Sequence, residues 1–169
     1  MIIWLGLNEI IHNSSLLQDD ILDKSNIRRN QEACHSRYGK WETALSPIFM
    51  IGRAGQIIYK MGYPELYQFY SNVIINLTTG ENIQSIAKKQ FDSLTIEELF
   101  ETYLLKTYYK TASLFSNQLN GICVLNGFEI GSEIQRNIFE FGLNIGMAFQ
   151  IVDDILDYSQ DIETLQKNN

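Results

Sequence analysis

Cysteine is scarce in this chain. The 169 residues hold two, Cys34 and Cys123, isolated from each other and without metal-ligand spacing. That excludes a disulfide framework and a cysteine-built metal centre, and fits a reducing compartment. Proline is as rare, with only Pro47 and Pro64; long proline-free stretches argue against a turn-rich β sandwich and suit helices. No apolar run is long enough to span a bilayer. The start, Met1-Ile2-Ile3-Trp4-Leu5-Gly6-Leu7, soon meets Glu9 and has no basic segment before it, so no transmembrane helix, signal peptide or Arg/Ser-rich transit peptide is expected. The protein either works where it is made or its natural N-terminus lies upstream of this chain. Positive charge is in deficit, 13 Lys and Arg against 20 Asp and Glu, and the net charge of −7 makes nucleic acid an unsuitable partner. Strand-like alternation is missing too.

What is present is an ordinary globular composition, 45% hydrophobic and 20% charged, with helical periodicity. Residues 2–23 read as a helix, and 24–45 as a polar loop with a short helix. A second long helix covers 46–61, stopped by Gly62. Pro64 suits the first turn of the next, which runs to about Ala87. Phe91–Leu94 is a connector, and Thr95 with Glu98 forms a capping box for a helix reaching about Leu119. Gly121–Gly131 holds a short apolar segment, Ile122–Leu125. Ser132 opens the last helix, to about Tyr158, and the polar tail Ser159–Asn169 is expected to fray. Phe115, Phe139 and Phe141 are read as core before tunnel lining. The expectation is an all-α, antiparallel helical bundle forming one domain over 1–169.

Aspartate is distributed unevenly. Six of the eight sit in two identical pentapeptides, Asp19-Asp20-Ile21-Leu22-Asp23 and Asp153-Asp154-Ile155-Leu156-Asp157. Residues four apart share a helix face, so Asp19 and Asp23 point one way with Asp20 turned aside, and Asp153 and Asp157 do the same. Like carboxylates one turn apart near a helix C-terminus repel each other and oppose its dipole, unless a cation neutralises them. Mg²⁺ suits the arrangement, because it takes oxygen ligands from one or two carboxylates plus substrate phosphates. One copy would pass as a solvated helix end; two identical copies ask for chemistry. Arg28 and Arg29 follow the first cluster, and guanidinium forks suit phosphate. Gln150 precedes Asp153 by three residues, and His12 precedes Asp19 by two turns, so both share an Asp face.

These residues carry a resemblance. His12 through Asp23 with Arg28-Arg29 resembles the first Asp-rich motif of the trans-isoprenyl (polyprenyl) diphosphate synthases, and Gly146 through Tyr158 resembles the second. Gly80-Glu81-Asn82-Ile83-Gln84 and Tyr109-Lys110-Thr111-Ala112 match the intervening signatures in order. His35-Ser36-Arg37-Tyr38-Gly39 and Gln90-Phe91-Asp92-Ser93 are similar to the cyanobacterial and plastid long-chain branch, which makes a quinone side chain. The resemblance implies a helical isoprenoid synthase fold and Mg²⁺ held by Asp19, Asp23, Asp153 and Asp157. It assigns Arg28, Lys110, Thr111 and Gln150 to the allylic prenyl diphosphate, and His12 and Arg29 to isopentenyl diphosphate. Asp19, Asp23, Arg28 and Lys110 would be the catalytic set. A homodimer, or a heteromer with a full-length homologue, and a plastid location with a cytoplasmic alternative follow on the same ground. So does the other reading of function, a non-catalytic partner subunit or inactive fragment.

Product length has a geometric handle. Ser15 and Ser14 lie four and five residues before Asp19, roughly 6 Å deeper along the helix. Short-chain members of the family place an aromatic floor there, so two serines imply medium or long products. The chain also departs from the family pattern. It lacks the Gly-Gly-Lys-Arg type motif upstream of the first cluster, has Ser46-Pro47 where Gly-Asp is usual, and Asn30 where a Gly follows the Arg pair. The expectation is a domain truncated at both ends, better equipped for the allylic substrate than for isopentenyl diphosphate.

Overall fold

The structure, a computed structural model, describes residues 1–29 and 31–167, with side chains through residue 159. The chain divides into two compact units, Met1–Ser71 and Asn72–Asn169, and the division falls inside one helix.

In the first unit, α1 (Ile2–Leu22) lies along α3 (Lys40–Lys60), with the short α2 (Cys34–Tyr38) against both. The face of α1 that is buried is set by three- and four-residue spacing: Trp4, Leu7, Ile11 and Ser14. Ala54 and Ile58 of α3 and Leu66, Phe69 and Tyr70 of α4 (Pro64–Gln90) complete this core. Burying such side chains is worth about 1.5–3 kcal/mol each. Asn8 is also buried, and turns its amide back to donate to the Trp4 carbonyl at 2.9 Å.

The segment read as a loop contains more order than its polarity announces. A two-residue hairpin, β1 (Ile27–Arg28) with β2 (Gln31–Glu32), pairs antiparallel with Arg28 opposite Gln31. Strands of two residues are too short to show alternation in the sequence; the turn begins at Arg29, at φ 50°, and Asn30 lies outside the described residues. Helix α3 starts six residues earlier than expected, at Lys40. Pro47 therefore sits inside a helix, where it removes one intrahelical bond. Its ring is fully buried, which offsets that loss. Gly62, at φ 79°, follows the end of α3 as expected.

In the second unit the rest of α4 leads through a 3₁₀ turn (Phe91–Ser93) to α5 (Ile96–Thr107). The capping box is present: the Thr95 hydroxyl accepts from the Glu98 amide at 3.2 Å, and Glu98 accepts from the Thr95 amide at 2.8 Å. A π turn (Tyr108–Ala112) then joins α5 to α6 (Ser113–Leu125), which packs along α7 (Glu133–Lys167). Leu119 is not the end of this helix; Ile122–Leu125 is its last turn. The buried face of α6 is mostly polar, Ser113, Ser116, Asn117 and Asn120 leading to Gly121 and Cys123, a stripe that hydrophobic periodicity does not detect. Asn120 accepts from the Gln135 amide of α7 at 2.6 Å, which satisfies both buried groups. Phe141 is exposed, against the core reading. Helix α7 continues past Tyr158 to Lys167, so the expected fraying does not begin at Ser159; Asn168 and Asn169 lie outside the described residues. The all-α expectation holds apart from the short hairpin. Among the described residues no helix is long and apolar enough to cross a membrane.

Candidate diphosphate and metal site

In the first unit the site residues gather at the C-terminal end of α1. Its last turns place Asp19 half-buried and Asp23 exposed, one turn apart, with the Asp23 amide donating to the Asp19 carbonyl at 2.8 Å. Asp20 points inward and is only 3% exposed. Arg28 comes back from β1 to meet it, Nε donating to Oδ1 at 2.6 Å. The guanidinium expected to face phosphate is thus tied at one edge to a buried carboxylate, with its side chain 38% exposed. Arg29 and His12 are exposed. Ser14 is buried and donates to the Ile10 carbonyl at 2.7 Å; Ser15 is half-buried and donates to His12 at 2.8 Å. Both hydroxyls are turned back onto their own helix, so this wall of α1 behaves as small and non-donating.

In the second unit the site grows from the π turn. Widening the helix at Tyr108–Ala112 places Lys110 beside α4 and Thr111 beside α7; such turns often mark functional positions. Lys110 forms an ion pair with Glu81 and donates to Gln84 Oε1 at 3.2 Å. Gly80 makes this approach feasible: a Cβ there would lie 2.5 Å from Lys110 Cγ and 3.1 Å from its backbone nitrogen. Gly146 serves the same purpose on α7, where a Cβ would meet Ala112 Cα at 2.6 Å. One turn further on, Thr111 donates its hydroxyl proton to Gln150 Oε1 at 2.9 Å. The Gln150 amide nitrogen donates to Asp154 Oδ1 at 2.9 Å and, more weakly, to Asp153 Oδ2 at 3.3 Å. Tyr103 of α5 donates to the other Asp154 oxygen at 2.6 Å.

Lys110, Thr111, Gln150 and the second Asp cluster are therefore brought together; in the first unit Arg28 is brought to Asp20, the member of the cluster between Asp19 and Asp23. Tyr103, Lys106, Glu81 and Asp154 were missed as site residues. Asp154 carried a signal, its place within the cluster; Tyr103 and Lys106 carried none, because helix period alone does not say what faces α7. Burial and the neighbouring Asp154 carboxylate push the Tyr103 phenol up to about 12, so it remains a donor at any ordinary pH. The Lys106 ammonium stands 4.8 Å from the Tyr103 ring centre. Burial pulls it below the usual lysine value, opposed by Asp154 and reinforced by Lys110.

No three acidic, His or Cys side chains converge to hold a metal by themselves among the described residues. Mg²⁺ does not require that, since it keeps waters and takes substrate phosphate oxygens beside one or two carboxylates. Asp153 and Asp157 are both exposed and a turn apart on α7, and their all-oxygen donor set fits such an ion. Asp154 is half-buried and has a hydrogen bond at each oxygen.

The polyprenyl synthetase family model matches residues 4–169. The chain is 38% identical over 159 residues to solanesyl diphosphate synthase 1, chloroplastic, of Arabidopsis thaliana, which covers 94% of this chain and 37% of that protein. It is 35% identical over 161 residues to a prenyl transferase of Synechocystis sp., covering 95% of this chain and 48% of the relative. Among solved structures, a polyprenyl synthase from Caulobacter crescentus complexed with calcium and isoprenyl diphosphate superposes with a TM-score of 0.84 at 27% identity, over 93% of this chain and 46% of that one. The chain spans less than half the length of these relatives.

Proposed function

This chain belongs to the polyprenyl synthetase family, and we propose that it condenses isopentenyl diphosphate with an allylic prenyl diphosphate, giving a medium- or long-chain all-trans polyprenyl diphosphate. The observation that carries this reading is the bonded line Thr111–Gln150–Asp154 beside Lys110, which sets cationic and polar groups next to the exposed pair Asp153 and Asp157. In it, Lys110 and Arg28 attract and orient the allylic diphosphate, with Thr111 and Gln150 as polar contacts. His12 and Arg29 serve isopentenyl diphosphate. Asp19, Asp23, Asp153 and Asp157 are the carboxylates that hold Mg²⁺. When bound, Mg²⁺ neutralises charge developing on the departing diphosphate. The carbon–oxygen bond breaks, the isopentenyl double bond attacks the allylic carbon, and loss of a proton leaves a chain one C5 unit longer.

The small, inward-bonded Ser14 and Ser15 support a long product, as does the solanesyl name of the Arabidopsis relative. That relative's chloroplastic name supports a plastid location and a quinone side chain as the product's use. Exposed apolar side chains on α1 (Ile2, Ile3), α3 (Ile48, Phe49) and α7 (Ile145, Phe149) support association, as a homodimer or with a full-length homologue. Residues 1–169 are on this reading one partial synthase domain.

Incubating the soluble chain with labelled isopentenyl diphosphate, geranylgeranyl diphosphate and Mg²⁺ tests the proposal. Expected are products longer than the primer, lost with a chelator and in Asp153→Ala and Asp19→Ala. Folded protein that yields no product above background refutes it for this chain.

A further inference from the structure

Asp154 differs from its neighbours in the second cluster. Asp153 and Asp157 face solvent, whereas Asp154 is half-buried with a donor on each oxygen, Tyr103 at 2.6 Å and Gln150 at 2.9 Å. We propose that the Tyr103 hydroxyl is a positioning group, which holds Asp154 as a protein-bound acceptor and so fixes the Gln150 amide and the metal-binding orientation of Asp153. The inference rests on the proposed function for the purpose of that site, but the geometry is separate from it.

The polarity of the chain of bonds carries the argument. An ionised carboxylate only accepts, so the Gln150 nitrogen must face Asp154. The Gln150 oxygen must then face Thr111, whose single hydroxyl proton goes to it. The second Gln150 N–H is left directed at Asp153. The carboxylate thus sets the direction of every donor from Asp154 to Thr111, and the phenol on α5 is what holds that carboxylate in place. Without the phenol, one Asp154 oxygen loses its anchor, the carboxylate can turn outward, and the amide loses the partner that distinguishes its two ends. Groups that orient ligands from behind typically change metal affinity by about 10–100-fold when removed.

Tyr103→Phe keeps the ring, and with it the contact to Lys106, while deleting the hydroxyl. The test uses the 169-residue chain, with Mg²⁺ and inorganic pyrophosphate as the probe in calorimetry, and the Gln150 side-chain amide signals in NMR, assigned through Gln150→Glu. Expected for Tyr103→Phe are an unchanged helical spectrum, Mg²⁺-dependent pyrophosphate binding weakened about tenfold, and displaced Gln150 signals even before metal is added. Asp154→Asn gives a second route, because an amide at 154 invites the Gln150 group to flip and its signals to move with Tyr103 intact. Affinity in Tyr103→Phe that is unchanged or tighter overturns the inference. So do Gln150 signals that stay in place in both variants. If the unmodified chain binds no Mg²⁺-pyrophosphate, the proposed function fails instead, and the metal-free NMR comparison still decides the role of Tyr103.

Discussion

Two carboxylates of one pentapeptide take opposite roles when their surroundings differ. Asp19 and Asp23 lie along one side of α1, as a four-residue spacing dictates, but Asp20 is buried against Arg28. Arg28→Met leaves that carboxylate without its cation. Breaking a buried pair costs about 3–5 kcal/mol; with Arg28 over a third exposed the expected loss falls to about 1–2 kcal/mol, measured by urea denaturation. A second prediction concerns Tyr103. Its folded value near 12 stands above the ordinary 10, so the folded state holds the phenolic proton more tightly than the unfolded chain. The resulting stability is fully present below pH 10 and is lost as pH rises towards 12. Titration followed by tyrosinate absorbance is expected to show a late-ionising phenol that disappears in Tyr103→Phe, while Tyr70, also pushed up by burial, continues to ionise late. At this scale spacing alone singled out the Asp pairs and Gln150, whereas Lys110 and Thr111 came only from the family resemblance; the structure sets Thr111 against Gln150. Sequence reasoning passed over Tyr103, because a tyrosine on an amphipathic helix looks the same whether it meets solvent or a carboxylate 51 residues away.

At the level of elements, caps and stops were legible and interfaces were not. Thr95 with Glu98, Gly62 and Pro64 act locally, within a few residues, and the structure places them as read. The start of α3 was obscured because Pro47 looks like a boundary, yet its burial against the first unit's core holds it inside a helix. The extent of α6 was obscured because its buried side is Ser and Asn, not Leu. Such a stripe is stable only because α7 comes close and carries Gly142, Gly146 and Gln135 to meet it. Gly146→Ala tests that closeness. The added methyl falls 2.6 Å from Ala112 Cα, a backbone atom that cannot swing aside. Prying α7 from the π turn is expected to cost about 1–3 kcal/mol, seen as a lower denaturation midpoint, and to weaken pyrophosphate binding by misplacing Gln150 relative to Thr111.

For the whole molecule, the proposed function makes ligand binding by the carboxylate clusters testable through stability. Any species that binds only the folded chain raises its stability, by about 2.7 kcal/mol at a hundredfold excess over Kd. Mg²⁺ with pyrophosphate is expected to raise Tm, a chelator to reverse the rise, and Asp153→Asn to abolish it. The sequence by itself determined the all-helical class and the shared face of each Asp pair, because helical period converts spacing directly into a shared face; that the second pair would close its helix was wrong, since α7 runs on to Lys167. Spacing turned the second Asp of each cluster aside; only the tertiary structure decided what that Asp meets. Asp20 found Arg28 and Asp154 found Tyr103 and Gln150. Identical pentapeptides have identical local geometry, so the partner that separates their members must arrive from elsewhere in the chain, by packing that no local pattern records.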